Sequence, residues 1–354
     1  MSAIVFAIPG DIDLPTGGYG YDRRLLREWR KAGIEARHLA LPGGFPFPSE
    51  ADLVRTEELL ASTAPDDVLL VDGLAFGAFP EALAARFSNR LVALVHHPLA
   101  LETGLTPEQA EALRQHERAA LRHARCAVTT SLPTTDILAA DFGVAPDRIA
   151  TAEPGVDPAP RATGSGSEGP LHLLAVGSLI PRKGYDVLVD ALARIADRDW
   201  RLTIAGSPDH APATATALGT RIDAAGLADR VLLAGAVGPG KLDELYEKAD
   251  LFVMPSLFEG YGMVLTEALA RGLPIISTLS GAGAARIPDE AALKVPPGDA
   301  TALAKALARL IDAPAERKAR AGAAWAAAGS LPRWHDTARI VAEACLRDRD
   351  QKVG

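Results

Sequence analysis

The sequence predicts an α/β protein built from two doubly wound, Rossmann-like parallel-sheet domains. Three observations lead there. Short apolar runs alternate with longer segments of helical periodicity along most of the chain, the pattern of strands buried on both faces beneath packed helices. A stretch rich in Pro, Gly and Ser, 158–170 (PAPRATGSGSEGP), interrupts that alternation and reads as a linker. At 354 residues the chain exceeds the usual single domain, and 48% hydrophobic with 23% charged residues leaves material for two ordinary globular cores.

The first domain is expected over 1–160. Ala3 to Ile8 is an apolar run that reads as a buried strand; it lacks a basic flank, turns acidic at Asp11 and so does not read as an export signal. The loop Pro9 to Gly20 carries Gly17 and Gly18, a pair that lets backbone approach a ligand closely. Tyr21 to Lys31 has helical spacing, with Gly33 as its stop. Asp67 to Asp72 and Arg90 to Val95 are the next strands, with a helix from Phe79 to Phe87 between them. The second of these runs into His96-His97-Pro98. Residues at the carboxyl end of a parallel strand line the crevice of an open α/β sheet, so a polar pair there is better placed for function than for packing. Ala127 to Ser131 is a further strand, and Glu153-Pro-Gly-Val-Asp157 is a turn before the linker.

Charge and composition exclude several classes. The net charge of −8 lies in the first 160 residues, which hold 14 basic against 22 acidic side chains, while the remainder is balanced at 23 of each. An acidic half does not suit nucleic acid or an anionic membrane surface. Arginine stripes at Arg23, Arg24, Arg27 and Arg30, and at Arg114, Arg118, Arg122 and Arg125, read as solvated helix faces; the alternative is a local patch for an anionic acceptor or peripheral lipid contact. Cys126 and Cys345 are far apart and in no metal-ligand spacing. No apolar run approaches the length of a membrane span. A soluble, reduced, cytoplasmic protein is expected.

The second domain is expected over 171–333, with strands at Leu171–Val176, Trp200–Ala205, Val231–Ala234, Leu251–Met254 and Pro274–Ser277, and an amphipathic helix at Ala300–Ile311. Neither half shows Gly-x-Gly-x-x-Gly or a Gly-x4-Gly-Lys-Ser/Thr loop, so dinucleotide and P-loop readings lack their anchors. The informative stretch is Phe252 to Gly272, FVMPSLFEGYGMVLTEALARG, which reads as strand, glycine loop and helix with a glycine stop. The backbone N–H groups of Gly262, Met263 and Val264 fall at the helix start, without intrahelical partners, where an anion binds readily. Glu259 and Glu267 flank that start, and carboxylates accept paired hydrogen bonds from vicinal hydroxyls. Phosphate donors between two carboxylates describe a site for a sugar nucleotide.

The run Glu259-Gly260-Tyr261-Gly262-x4-Glu267-Ala268, preceded by Pro255-Ser256, resembles the Glu-x7-Glu signature of the family 4 retaining glycosyltransferases. That resemblance implies the GT-B fold, two Rossmann-like domains facing a central cleft, with a final helix from about 334 to 354 crossing back to the first. It implies that Gly17 and Gly18 face the donor phosphates and acceptor, and that His96, with His97 as the fallback, lies beside the reacting sugar. Gly177-Ser-Leu-Ile-Pro-Arg-Lys-Gly184 stands where the family has an Arg and a Lys on the donor diphosphate. Lys183 is in register, Ser178 replaces the Arg, and Arg182 or a backbone amide would compensate. Val237 falls near the nucleotide base. Pro154 stands in the turn where the family has Asn.

The resemblance further implies hexosyl transfer from an NDP-sugar, UDP- or GDP-linked, to a small-molecule, glycan or lipid-linked acceptor, with no cofactor and no metal. The Asp11-Ile12-Asp13 match to the metal motif of another glycosyltransferase fold is discounted, since Asp-Arg-Asp recurs at 197–199 and 348–350. The rivals are a GT-B sugar-nucleotide epimerase, separated by product analysis, a glycan phosphorylase, separated by pyridoxal phosphate absorbance, and a degenerate binding module that holds nucleotide sugar without turnover.

Overall fold

The computed structural model describes residues 3–14, 16–102, 104–166 and 169–347; the Asp-Arg-Asp at 348–350 lies outside them. The chain divides into two units, the first made of 1–155 with 332–354, the second of 156–331.

Six parallel strands form the sheet of the first unit: β1 (Ile4–Pro9), β2 (Ala36–Leu41), β3 (Val68–Asp72), β4 (Leu91–Val95), β5 (Cys126–Thr129) and β6 (Ile149–Thr151), in the order β2-β1-β3-β4-β5-β6. The central strands β1, β3 and β4 are buried at every position, which is why their sequences are apolar throughout except for Asp72 at the end of β3. Edge strand β2 is buried only at Leu41, and Arg37 and His38 interrupt its apolar residues, so no long apolar run announces it in the sequence. The helices are α1 (Gly17–Ala32), α2 (Glu50–Ala61), α3 (Gly73–Phe76), α4 (Glu81–Arg86), α5 (Pro107–His123) and α6 (Leu132–Ala140), joined by Trp334–Leu346 from far along the chain. That last helix packs on α1: the Trp29 indole donates to the Ala338 carbonyl at 2.8 Å, and Tyr21 meets Trp334 edge-on at 5.6 Å. Gly155 is required beside it, because a Cβ there would stand 2.2 Å from the Trp334 backbone nitrogen.

Two expectations are corrected. Gly17 and Gly18 do not lie in a loop; they form the first turn of α1, because Thr16 caps the helix by accepting from the Tyr19 N–H at 3.3 Å. The helix expected over Phe79–Phe87 is only Glu81–Arg86, since Pro80 sets its start.

Helix α5 begins with a reciprocal capping box between Thr106 and Gln109 and carries Glu117 into the core. Glu117 is fully buried; one carboxyl oxygen accepts from the Leu99 N–H at 3.0 Å and the other has no partner among the described residues. Burial pushes its pKa up to about 8, against the Leu99 hydrogen bond and the Arg114 charge, which pull it down. The unfolded chain, with an ordinary carboxyl, ionises first as pH rises, so the native state holds the extra proton across this window. The stability from this group is therefore complete below about pH 4.5 and declines by about 1.4 kcal/mol per pH unit until about pH 8. Glu117→Gln is expected to remove that slope, measured by urea unfolding of both proteins at pH 5, 6.5 and 8.

The second unit repeats the architecture with β7 (Leu171–Val176), β8 (Trp200–Ala205), β9 (Val231–Gly235), β10 (Leu251–Met254), β11 (Ile275–Thr278) and β12 (Ala292–Val295), again all parallel. The order β9-β8-β7-β10-β11-β12 is that of the Rossmann sheet, and it reverses between β7 and β10. Its helices are α7 (Tyr185–Ala193), α8 (Pro212–Ala224), α9 (Pro239–Lys248), α10 (Met263–Ala270), α11 (Ala282–Arg286), α12 (Ala300–Asp312) and α13 (Pro314–Ala328), which leaves Trp334–Leu346 as α14. The stretch read as a linker has no helix or strand among its described residues, yet it is fastened to this unit. Ala162 donates to the Arg271 carbonyl, Thr163 and Gly164 to the Glu247 carbonyl, and Ser165 to the Asp250 carboxylate.

Candidate functional site

In an open α/β sheet, ligands bind outside the carboxyl ends of the strands where the order reverses. For the second unit that point is the end of β7 and of β10, and the chemistry-bearing residues gather there. After β7 the chain makes a tight turn, Pro181–Lys183, ended by Gly184 in the left-handed region; a side chain at 184 would collide with the Pro255 carbonyl at 2.3 Å. The Leu257 N–H donates to the Arg182 carbonyl at 2.7 Å, so this turn and the loop after β10 are tied together.

Glu259 sits at the centre. Lys183 Nζ donates to Glu259 Oε2 at 2.5 Å, Arg182 Nη1 to Oε1 at 3.1 Å, and Ser256 Oγ to Oε2 at 3.3 Å. Lys183 and Glu259 are buried, with 9% and 7% of their surface exposed. Burial alone would raise the Glu259 pKa; the Lys183 and Arg182 charges and hydrogen bonds outweigh it and hold the carboxyl below its usual range. Arg182 thus supplies a second cation one residue from Lys183, where Ser178 cannot. Lysine has three donors and arginine five, so Glu259 fixes both cations without exhausting them.

Helix α10 begins at Met263 with Gly262 as its N-cap, φ +83°, and no side chain caps its N–H groups. Any side chain at 262 would come within 3.0 Å of Glu259 Cγ, so glycine serves there both for conformation and for room. Gly260 accepts from the Ala282 N–H at 3.1 Å. Tyr261 is buried, and its hydroxyl has no partner among the described residues. Met263 and Val264 are half-buried in the first turn of α10. Glu267 lies further along and accepts from Tyr246 Oη at 2.9 Å; burial raises its pKa against the pull of Tyr246 and Arg271. Val237 lies in the loop between β9 and α9, half-buried.

The first unit gathers a second group. His96 follows β4 directly, and Gly18 lies beneath it, a Cβ at 18 being 3.5 Å from His96 Nε2. The edge of Tyr21 meets the imidazole at 5.3 Å, and Thr130 and Thr134 donate to the His96 carbonyl, each at 3.3 Å. Two residues that the sequence reading did not single out as site residues join it. Asp22, on α1, places Oδ1 3.5 Å from His96 Nε2, and Asp72, at the end of β3, places Oδ2 at 3.6 Å. Burial raises the Asp22 pKa well above the carboxylate range, and burial with the Asp22 charge pushes Asp72 up to about 7. The position of Asp72 at the same strand end as His96 was the available signal; Asp22 was hidden in a polar helix. His97, the fallback, is turned to Glu102, with Nε2 2.5 Å from its Oε1.

The fold and these sites define a class. Residues 170–313 match the model of the family described as Glycosyl transferases group 1, which places a domain of that family in the second unit. The whole chain has the GT-B fold: sucrose-phosphate synthase from Thermosynechococcus elongatus superposes with a TM-score of 0.80 at 21% identity, covering 96% of this chain and 98% of that one. WaaG, a glycosyltransferase of lipopolysaccharide biosynthesis, superposes at 0.73 and 20% identity, covering 97% and 100%.

Among relatives by sequence, mannosylfructose-phosphate synthase of Agrobacterium fabrum is 33% identical over 184 residues, 47% of this chain and 40% of that protein. The MMP α-(1→4)-mannosyltransferase of Mycolicibacterium hassiacum is 29% identical over 294 residues, 77% of this chain and 68% of that protein. The matched part of this chain spans about two fifths of the first relative's length. Among the described residues, no helix is long and apolar enough to cross a membrane.

Proposed function

We propose that this chain is a retaining glycosyltransferase that moves a hexosyl group from an NDP-sugar, held mainly by the second unit, to an acceptor hydroxyl recognised by the first. The observation that carries the reading is the gathering of Lys183, Arg182 and the uncapped start of α10 around Glu259 at the reversal point of the Rossmann sheet. Fixed cations and free backbone N–H groups suit a diphosphate, and they stabilise its charge as it leaves without reorganising. No metal is needed at that position. In front-side transfer the acceptor oxygen bonds to the anomeric carbon, the bond to the diphosphate breaks, and the diphosphate takes the acceptor proton, so the protein supplies position and charge rather than a nucleophile. Glu267 takes the ribose, Glu259 the sugar hydroxyls through its remaining acceptor capacity, and His96 the far side of the sugar. Structures of Anabaena HepE in complex with UDP and glucose and with UDP-glucose share this fold and favour a UDP-linked donor.

Thermal-shift screening against UDP-, GDP- and ADP-sugars tests the donor. A ligand at 100 times its Kd adds about 2.7 kcal/mol of stability, and absence of any shift counts against the reading. His96→Ala is expected to lower turnover by orders of magnitude with nucleotide affinity little changed; survival of activity there and its loss in His97→Ala would move the role to His97.

A further inference from the structure

We propose that Asp22, Asp72 and His96 form a divalent-cation site in the first unit. One oxygen of each carboxylate and a nitrogen of the imidazole lie within 4.8 Å of one another. Asp22 is fully buried, and neither of its oxygens has a hydrogen-bond partner among the described residues; His96 Nε2 has none either. Among those residues no Lys or Arg pairs with either aspartate: Arg23, the next residue on α1, instead donates to the Ile12 and Leu14 carbonyls. Two carboxylates thus converge in a buried place with no Lys or Arg side chain paired to either among the described residues, and a buried charge without a paired counter-ion is costly.

The distances decide what fits between them. His96 Nε2 lies 3.5 Å from Asp22 Oδ1 and 3.6 Å from Asp72 Oδ2. Both exceed the hydrogen-bond range of about 2.7–3.2 Å. They match instead two ligands on one ion, which at about 2.1 Å from it and at the tetrahedral angle stand about 3.4 Å apart. The third ligand is already oriented, since Asp72 Oδ1 accepts from the Leu74 N–H at 3.0 Å and this leaves Oδ2 for the ion.

Two carboxylates and a neutral imidazole carry the charge that balances a dication, and that donor set suits Zn2+ or Mn2+. Asp22 and Asp72 have 0% and 5% of their side chains exposed and His96 23%, so a fourth ligand, water or a hydroxyl, enters from the histidine side. The ion would clamp α1 to the ends of β3 and β4, and the other imidazole nitrogen would remain for a sugar hydroxyl. This inference does not rest on the transfer reaction proposed above and concerns only the first unit.

Chelator-treated wild-type protein titrated with Zn2+ or Mn2+ by calorimetry, with metal content by mass spectrometry after dialysis, is expected to bind one ion per chain and to melt at a higher temperature with it. Asp22→Asn keeps the shape and removes the charge; it is expected to weaken binding about a hundredfold or more, since even the groups behind metal ligands cost 10–100-fold. Asp72→Asn is expected to do the same, and far-UV circular dichroism with the urea unfolding midpoint reports whether the variants are folded. Wild-type protein that binds no ion overturns the proposal, and so does binding that survives in both variants. Ion binding without any response to nucleotide sugars would leave this site standing and remove the transferase reading, and the reverse result would do the opposite.

Discussion

Lys183→Met is expected to cost about 3 kcal/mol of stability and to remove measurable turnover. The first part follows from burial: Glu259 keeps its charge only because Lys183 and Arg182 hold it, and Lys183 is the closer at 2.5 Å. Breaking a buried pair by deleting one partner costs about 3–5 kcal/mol, because the other charge stays behind unmatched; Arg182 remains here, which sets the expectation at the low end. The second part follows from the proposed donor site, in which Lys183 is a fixed cation at the leaving diphosphate. Adding Glu259→Gln to the lysine variant separates the two effects. The double variant is expected to regain most of the stability in urea unfolding while remaining inactive. A double variant no more stable than Lys183→Met would show that buried charge is not the source of the loss.

Glu267→Ala is expected to weaken binding of the free nucleotide diphosphate and of the NDP-sugar alike, by about ten- to a hundredfold, with kcat little changed. A ribose is the same in both ligands and in the transition state, so its contacts contribute uniform binding. A hydrogen bond to a charged group is worth about 1.5–3 kcal/mol, which sets that range. Tyr246→Phe, which removes only the hydroxyl that donates to Glu267 at 2.9 Å, is expected to give a smaller loss of the same kind. Glu259→Gln is expected to fall mainly on turnover. Calorimetry with the nucleotide diphosphate beside steady-state kinetics reads both, and a Glu267→Ala variant with unchanged affinity and lost turnover would overturn the ribose assignment.

The expectation for Glu259 shows where reading a sequence stops. Its place before a helix start is visible in Glu259-Gly-Tyr-Gly262, and so are the N–H groups that this start leaves without a side-chain cap. Its grip on Lys183 and Arg182 is not, because those residues lie 76 and 77 positions away and only the sheet order brings the ends of β7 and β10 together. The same distinction runs through the fold. Strands β1, β3 and β4 are legible because burial on both faces demands unbroken apolar runs, whereas β2 at the edge, half-exposed, carries no such demand. Gly17 and Gly18 are read as a loop from their conformational freedom; the cap supplied by Thr16 makes them helical. The Asp22–Asp72–His96 group comes from three separate stretches, and no spacing rule connects them.

Helix α14 belongs to the first unit although the entire second unit precedes it in the chain. A ribosome reads in one direction, at about 5–20 residues per second. The roughly 300 residues between α1 and α14 therefore take on the order of 15–60 s to emerge. Throughout that interval the second unit can close while the first waits. Trp29 has no Ala338 carbonyl to meet, Tyr21 has no Trp334 edge, and Thr337 has not reached the Glu153 carbonyl that it later bonds at 2.7 Å. The surface of α1 that those residues cover stays open to solvent and to neighbouring nascent chains. The half of the protein encoded first is thus the half completed last, and its exposed α1 face is where cotranslational misassembly or a chaperone would take hold.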